Sequence, residues 1–356
     1  TLFANPKKIK NIRKIFRDKI VLIDEDNLDK VLKSISNKNI WLDKQSCSLY
    51  HKMILSKKNR IIEEMDPIYF LKSIKNKIEI KNTEKAHLDD GVALTKFLFW
   101  LKNNFKRKKI SEISAQNKLE DFRKLNSNYK FPSFSTISGS GPNSAIIHYK
   151  ATIKSNRVLK KGDLYLVDSG GQYHYGTTDV TRTVSLENKS RNIKNIFTRV
   201  LKGHIAVVKS NLNKYSSGNL IDIRARKFLK EINLDYQHGT GHGVGFFLNV
   251  HEGPQSISKL NKIKLLEGMI LSNEPGYYKK DKFGIRIENL IYVKKNKNKL
   301  YFENLTLAPI DKDLINFDLL TNDEKTYLWK YNLEIYSKLH KHLKPSEKRW
   351  LATFIQ

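Results

Sequence analysis

The 356-residue sequence has a single cysteine, Cys47, which excludes a disulfide framework and any zinc site built from thiolates. It also lacks a long apolar run. The most apolar stretch, Val92 to Leu101, is interrupted by Lys96, so no membrane-spanning helix is expected. Arginine is scarce, at 13 of 66 basic residues against 36 acidic ones. The resulting net charge of +30 suggests nucleic acid as a partner. The remaining 53 basic residues are lysines scattered along the chain, whereas phosphate forks and base edges favour arginine, so the expectation is a solvated basic surface without specific nucleic-acid binding. The cysteine count points to a reducing, cytoplasmic compartment. The chain opens Thr1-Leu2-Phe3 without methionine and is expected to begin inside a longer protein.

What is present fits one large domain or two unequal ones of α+β class, not a regular alternation of strand and helix. Residues 1 to about 80 mix basic amphipathic stretches with short apolar runs, Ile20 to Ile23 and Ile40 to Leu42, and read as a small α/β unit. From Thr83 the pattern predicts a helix burying Leu88, Val92, Leu94, Leu98 and Leu101, with Thr83 or Asn82 as its cap. A second helix is predicted near Ala115 to Leu125. Phe131 to Tyr149 reads as a long ordered loop ending in a strand-like Ala145-Ile-Ile-His-Tyr. Helices near Ser190 to Leu212 and Leu220 to Ile232 precede a β-rich region from about 237 to 310. Thr321 and Glu324 form a capping-box pattern before a helix to about Leu343.

Asp168 ends the apolar run Leu164-Tyr-Leu-Val-Asp, and Asp179 lies in Gly176-Thr-Thr-Asp-Val-Thr-Arg, with Gly170 and Gly171 between. Two strands folding back on each other would bring these carboxylates together, where a proton, a basic partner or a cation must relieve their repulsion. Alone, the pair is weak evidence, and a solvated turn carboxylate plus a surface salt bridge is the more common explanation. His238 and His242 sit in His-Gly-Thr-Gly-His-Gly-Val-Gly. Their spacing resembles a zinc-protease helix, but Gly239 stands where that motif needs glutamate, and the alternating glycines disfavour a helix. Nor do the glycines fit a dinucleotide fingerprint, since Val244 holds the third glycine position. His251 follows in Asn249-Val-His-Glu-Gly-Pro. Glu274 and Glu288 each follow an apolar run and would be awkward buried charges without partners. Asp168, Asp179, His242, Glu274 and Glu288 together make an oxygen-rich set suited to two divalent ions.

With Gly141-Pro-Asn-Ser-Ala-Ile-Ile-His-Tyr, His238-Gly-Thr-Gly-His-Gly-Val-Gly and Leu248-Asn-Val-His-Glu-Gly-Pro, the chain resembles the aminopeptidase P family of Xaa-Pro aminopeptidases with the pita-bread fold, closest to its long, eukaryotic cytosolic type. The resemblance implies three regions: residues 1–80 as the remnant of a non-catalytic α/β domain, 81–310 as the metallopeptidase domain and 311–356 as a helical extension through which such proteins dimerise. It places metal ligands on Asp168, Asp179, His242, Glu274 and Glu288. Asp179 and Glu288 would bridge two divalent ions, most simply Mn²⁺, with Co²⁺ or Zn²⁺ as other candidates. Glu274, His251 and His148 are the implied catalytic residues, and His148, His238, His251, Tyr278 and Arg286 the implied substrate-binding ones. The expected reaction is release of the first residue from peptides with proline second. Prolidase, which cleaves Xaa-Pro dipeptides, and a catalytically silent binding module are the alternatives.

Overall fold

The computed structural model describes residues 1–11, 15, 20–247 and 249–355, so part of the first basic stretch and Leu248 of the third motif lie outside the described residues. The chain divides into Thr1–Leu71 and Lys72–Gln356.

The first unit is α/β. Strands Asn39–Leu42 and Arg60–Glu63 pair in parallel around the helix Leu49–Ser56, since parallel neighbours need a crossover. The Ser48 hydroxyl accepts from His51 N and caps that helix.

The second unit runs through two helices and then a sheet, twice over. Helices α1 (Lys77–Asn104) and α2 (Glu112–Lys124) precede the antiparallel strands β1 (Ile137–Ser140), β2 (Leu164–Ser169) and β3 (Val180–Ser185), with β2 central. Helices α3 (Arg191–Val208) and α4 (Gly218–Lys230) precede β4 (Ile270–Asn273), the hairpin β5 (Gly276–Lys279) and β6 (Phe283–Arg286), then β7 (Asn289–Asn296) and β8 (Lys299–Asn304). In the second sheet β7 is central, between β4 and β8. Phe97, Leu98 and Leu101 of α1 bury against Tyr165 and Val167 of β2. Phe197, Val200 and Leu201 of α3 meet Ile285 of β6 and the last long helix, α5 (Asn322–Leu339), at Leu328 and Ile335.

Several boundaries differ from expectation. Helix α1 starts well before Thr83, because Asn76 accepts from Ile78 N and Glu79 N while Glu79 accepts from Asn76 N, a complete capping box. Thr83 lies inside the helix, its hydroxyl donating to Glu79 O. Helix α2 likewise begins at Glu112 behind a Ser111 cap. Ala145 to Tyr149 is not a strand: Gly141–Ala145 forms a 3₁₀ turn, fixed by the Ser144 hydroxyl donating to Gly141 O at 2.6 Å. Thr321 and Glu324 cap α5 reciprocally as expected. That helix ends at Leu339, and α6 (Pro345–Ala352) follows. Among the described residues no helix is long and apolar enough to cross a membrane.

Candidate metal centre and active site

The two sheets present their acids at corresponding strand ends. In the first, Thr181 is opposite Asp168 and Val180 opposite Ser169, so Asp179, one step before β3, returns to the neighbourhood of Asp168. In the second, Asn273 pairs with Asn289, which leaves Glu274 just beyond β4 and Glu288 just before β7. Glu288 N donates to Thr181 O at 3.1 Å and so joins the two sheets, while Glu274 N donates to Thr240 O at 2.7 Å and ties the glycine-rich segment to the second. The glycine-rich segment is extended, with Gly241–His242 as a short strand. Gly241 is required there, since a Cβ would come within 1.9 Å of Ser272 O.

Among the described residues, three overlapping groups have donor atoms mutually within 4.8 Å: Asp168, Asp179 and Glu288; His242, Glu274 and Glu288; and Asp179, His242 and His251. His242 Nε2 is 3.4 Å from Asp179 Oδ2 and 3.6 Å from Glu274 Oε1. Its Nδ1 pairs with Gly243 O at 3.0 Å, which leaves Nε2 facing the acids. The Ser272 hydroxyl accepts from His242 N and donates to Glu274 Oε1 at 3.1 Å. Thr181 donates to Glu288 Oε2 at 2.7 Å.

Burial, then Asp168 and Glu274, holds Asp179 well above the usual carboxylate range. Burial, then Asp179 and Asp168, does the same to Glu288. Burial also raises Glu274, against the opposing pull of His242. Asp168 Oδ1 is buried without a hydrogen-bond partner. Crowded acids with raised pKa values, an orphaned carboxylate oxygen and an imidazole nitrogen facing them fit hard divalent cations.

A cavity of about 570 Å³ opens over these residues, lined by Asp168, Asp179, His242, Glu274 and Glu288 together with His148, His238, His251 and Arg286. The structure therefore brings together all the expected site residues except Tyr278, which stands behind His238. His238 Nδ1 pairs with Gly239 O, and its Nε2 meets the Tyr278 hydroxyl at 2.9 Å. Arg286 proves to be a buried brace: Nη1 donates to Tyr278 at 2.6 Å, Nη2 to Asp168 Oδ2 at 2.6 Å and Nε to Thr181 at 3.1 Å. Desolvation, followed by Arg286, lowers His238 to about 4. Desolvation and then His242, whose ring centroid is 3.9 Å away, lower His251 to about 4. Both rings are therefore neutral near pH 7. Sequence reasoning missed Thr181 and Ser272. Each lies two residues along a strand from an acid, on the same face, and that period-two offset was the available signal.

Residues 81–295 match the model of metallopeptidase family M24, residues 298–356 its C-terminal region, and residues 1–79 a creatinase/prolidase N-terminal domain. The chain belongs to metallopeptidase family M24. It is 44% identical over 299 residues to a probable Xaa-Pro aminopeptidase P of Laccaria bicolor, covering 80% of this chain and 47% of that protein. It is 42% identical over 316 residues to Xaa-Pro aminopeptidase 1 of Dictyostelium discoideum, covering 85% and 50%. The chain thus spans about half the length of these curated relatives. Its structure superposes on X-prolyl aminopeptidase from Caenorhabditis elegans, described as a cytosolic enzyme with a di-nuclear active site, with TM-score 0.91 and 31% identity over 99% of this chain and 61% of that one. A prolidase from Pyrococcus furiosus, at 24% identity and TM-score 0.67, shares the fold. This M24 chain therefore has the pita-bread architecture with an N-terminal creatinase-type region.

Proposed function

We propose that the chain carries the catalytic portion of a two-metal aminopeptidase that releases the first residue of peptides with proline second. The observation that carries this reading is the single cavity floored by the five-donor cluster and walled by three histidines. The names of the M24 relatives support the substrate class.

Asp179 and Glu288 would bridge the two ions, with His242 and Glu274 completing one site and Asp168 the other. Mn²⁺ is the metal proposed, for its fit to a carboxylate-rich set. When bound, the cation pair supplies Lewis acidity that makes water a nucleophile near neutral pH. Glu274, already raised by burial, takes a proton from the attacking water and returns it to the departing proline nitrogen. His251 and His148, on the open side of the cavity, donate hydrogen bonds to the developing oxyanion and the adjoining peptide groups. His238, held by Tyr278, lines the proline side. Arg286 fixes Tyr278 and Asp168 and, as part of the cavity wall, also faces the proline side of the substrate. Proline fixes its own φ and lacks an amide hydrogen, so a preformed apolar and imidazole-lined wall suits it.

The test is hydrolysis by Mn²⁺-loaded protein of Xaa-Pro dipeptides, Xaa-Pro-Yaa tripeptides and Xaa-Ala-Yaa controls. Release of Xaa from the proline tripeptides, with little from the alanine set, is the expected outcome. Rapid cleavage of dipeptides alone would establish prolidase action instead. We further propose a cytoplasmic homodimer. Trp329 and Leu333, one helical turn apart on α5, are exposed, apolar surface that a second copy would cover. Light scattering at micromolar concentration should give the dimer mass, and a monomer would refute it.

A further inference from the structure

Lys75 is placed against ordinary electrostatics. Its side chain is 1% exposed, and it stands one residue before the cap of α1, at the helix end that disfavours cations. Burial lowers its pKa. The carboxylate within ion-pair distance of Nζ, among the described residues, is Glu252, whose Oε1 lies at 3.7 Å. The other oxygen of Glu252 accepts from Lys72 Nζ at 2.9 Å and from Asn249 Nδ2 at 3.4 Å.

Glu252 is also anchored through its backbone, N donating to Gly243 O at 2.8 Å. Gly243 follows His242 and Glu252 follows His251, so this contact joins the segments that carry the two imidazoles. The approach is close enough that a Cβ on Gly243 would fall 2.1 Å from Glu252 O. Neither Lys75 nor Glu252 lines the cavity. An apolar pair of similar volume would serve stability at least as well as a buried ion pair, so its use here calls for another explanation.

We propose that Lys75 and Glu252 form a positioning pair that fixes residues 249–252 so that the His251 imidazole stays beside His242 over the cavity. The proposal rests on the reading of His251 as a donor in the reaction. A misplacement of a catalytic group by about 1 Å can cost on the order of 10²-fold in rate, so this pair influences turnover without touching substrate.

The experiment compares wild type, Lys75→Met, Glu252→Gln, the Lys75→Met/Glu252→Leu double variant and His251→Ala in the full chain loaded with Mn²⁺. Melting temperature, bound metal, kcat and KM on one Xaa-Pro-Yaa peptide are measured for each. Glu252→Gln should melt several degrees lower, by leaving the buried Lys75 charge uncompensated, and Lys75→Met should melt lower by less, since Lys72 still pairs with Glu252. The double variant should recover the melting temperature and metal content while kcat stays about 10- to 100-fold down with KM little changed. A double variant with wild-type kcat would reduce the pair to a structural one and overturn the proposal. Should the double variant fail to fold, Glu252→Gln decides alone, since it keeps the shape of the side chain: wild-type kcat would overturn the proposal, and a loss at constant KM and metal content would support it. Wild-type kcat in His251→Ala would overturn the parent reading of His251, a failure distinct from that of the pair.

Discussion

Asp90 and Asp179 are both deeply buried acids, and their surroundings drive them in opposite directions. Asp90, on α1, receives a two-pronged contact from Arg123, Nε to Oδ1 at 2.7 Å and Nη2 to Oδ2 at 3.1 Å, plus the Tyr173 hydroxyl at 2.9 Å. Burial would raise it, but Arg123 prevails and its pKa is lowered. Asp179 has Asp168 and Glu274 for neighbours, and burial and their charges raise it against the opposing pull of Arg286. An acid buried with its counterion has all it requires for folding. Acids buried against one another require something more, and the pita-bread cavity is where this chain keeps them.

The contrast can be broken at its strong end first. Asp179→Asn removes one charge from a residue proposed to serve both ions, so metal should be lost and activity should fall by about 10³-fold or more, the equivalent of the several kcal/mol that such ions supply. Elemental analysis and peptide assay of the variant check this, and near-normal activity would remove the bridging role. His251→Ala leaves the acids alone. It should keep both metals and lower kcat by about 10²-fold, and an unchanged kcat would make His251 structural.

Arg123→Met attacks the other member of the comparison. Leaving Asp90 uncompensated should cost about 3–5 kcal/mol of stability, read by denaturant unfolding, with metal content and kcat per folded molecule unchanged. The smallest effect is a difference in pH dependence. Asp90, lowered, contributes stability that is present above its unfolded pKa and lost as pH falls through its folded one. Asp179 and Glu288, raised, contribute in metal-free protein below the unfolded pKa and lose it as pH rises through their folded values. The melting temperature of metal-free wild type, minus that of Asp179→Asn, should therefore fall from about pH 4 toward neutrality. A flat difference would show that the acids are not repelling one another.

Legibility followed the range of the interactions. The capping box at Thr321 and Glu324 and the hairpin bringing Asp179 back to Asp168 were readable, because each depends on a few adjacent residues. The expected donor set falls in one cluster, since a short motif ties each acid or histidine to a strand end. The true start of α1 was missed through the Asn76 and Glu79 pair, which precedes the apolar stripe that marked the helix. The repetition of two helices and a sheet left no trace that the sequence pattern revealed. Arg286 was readable as a cavity residue, whereas only the packing shows its guanidinium also shared among Asp168, Thr181 and Tyr278. The Lys75–Glu252 contact joins residues far apart in the chain and has no local signature.

The central claim is that the mutually buried acids form a centre for two cations, and metal stoichiometry tests it most directly. Wild-type protein and Asp179→Asn would be equilibrated with Mn²⁺, desalted and measured for bound metal per chain. The account predicts two ions in the wild type and loss of both in the variant. One ion or none in the wild type, or two ions retained by Asp179→Asn, would contradict it.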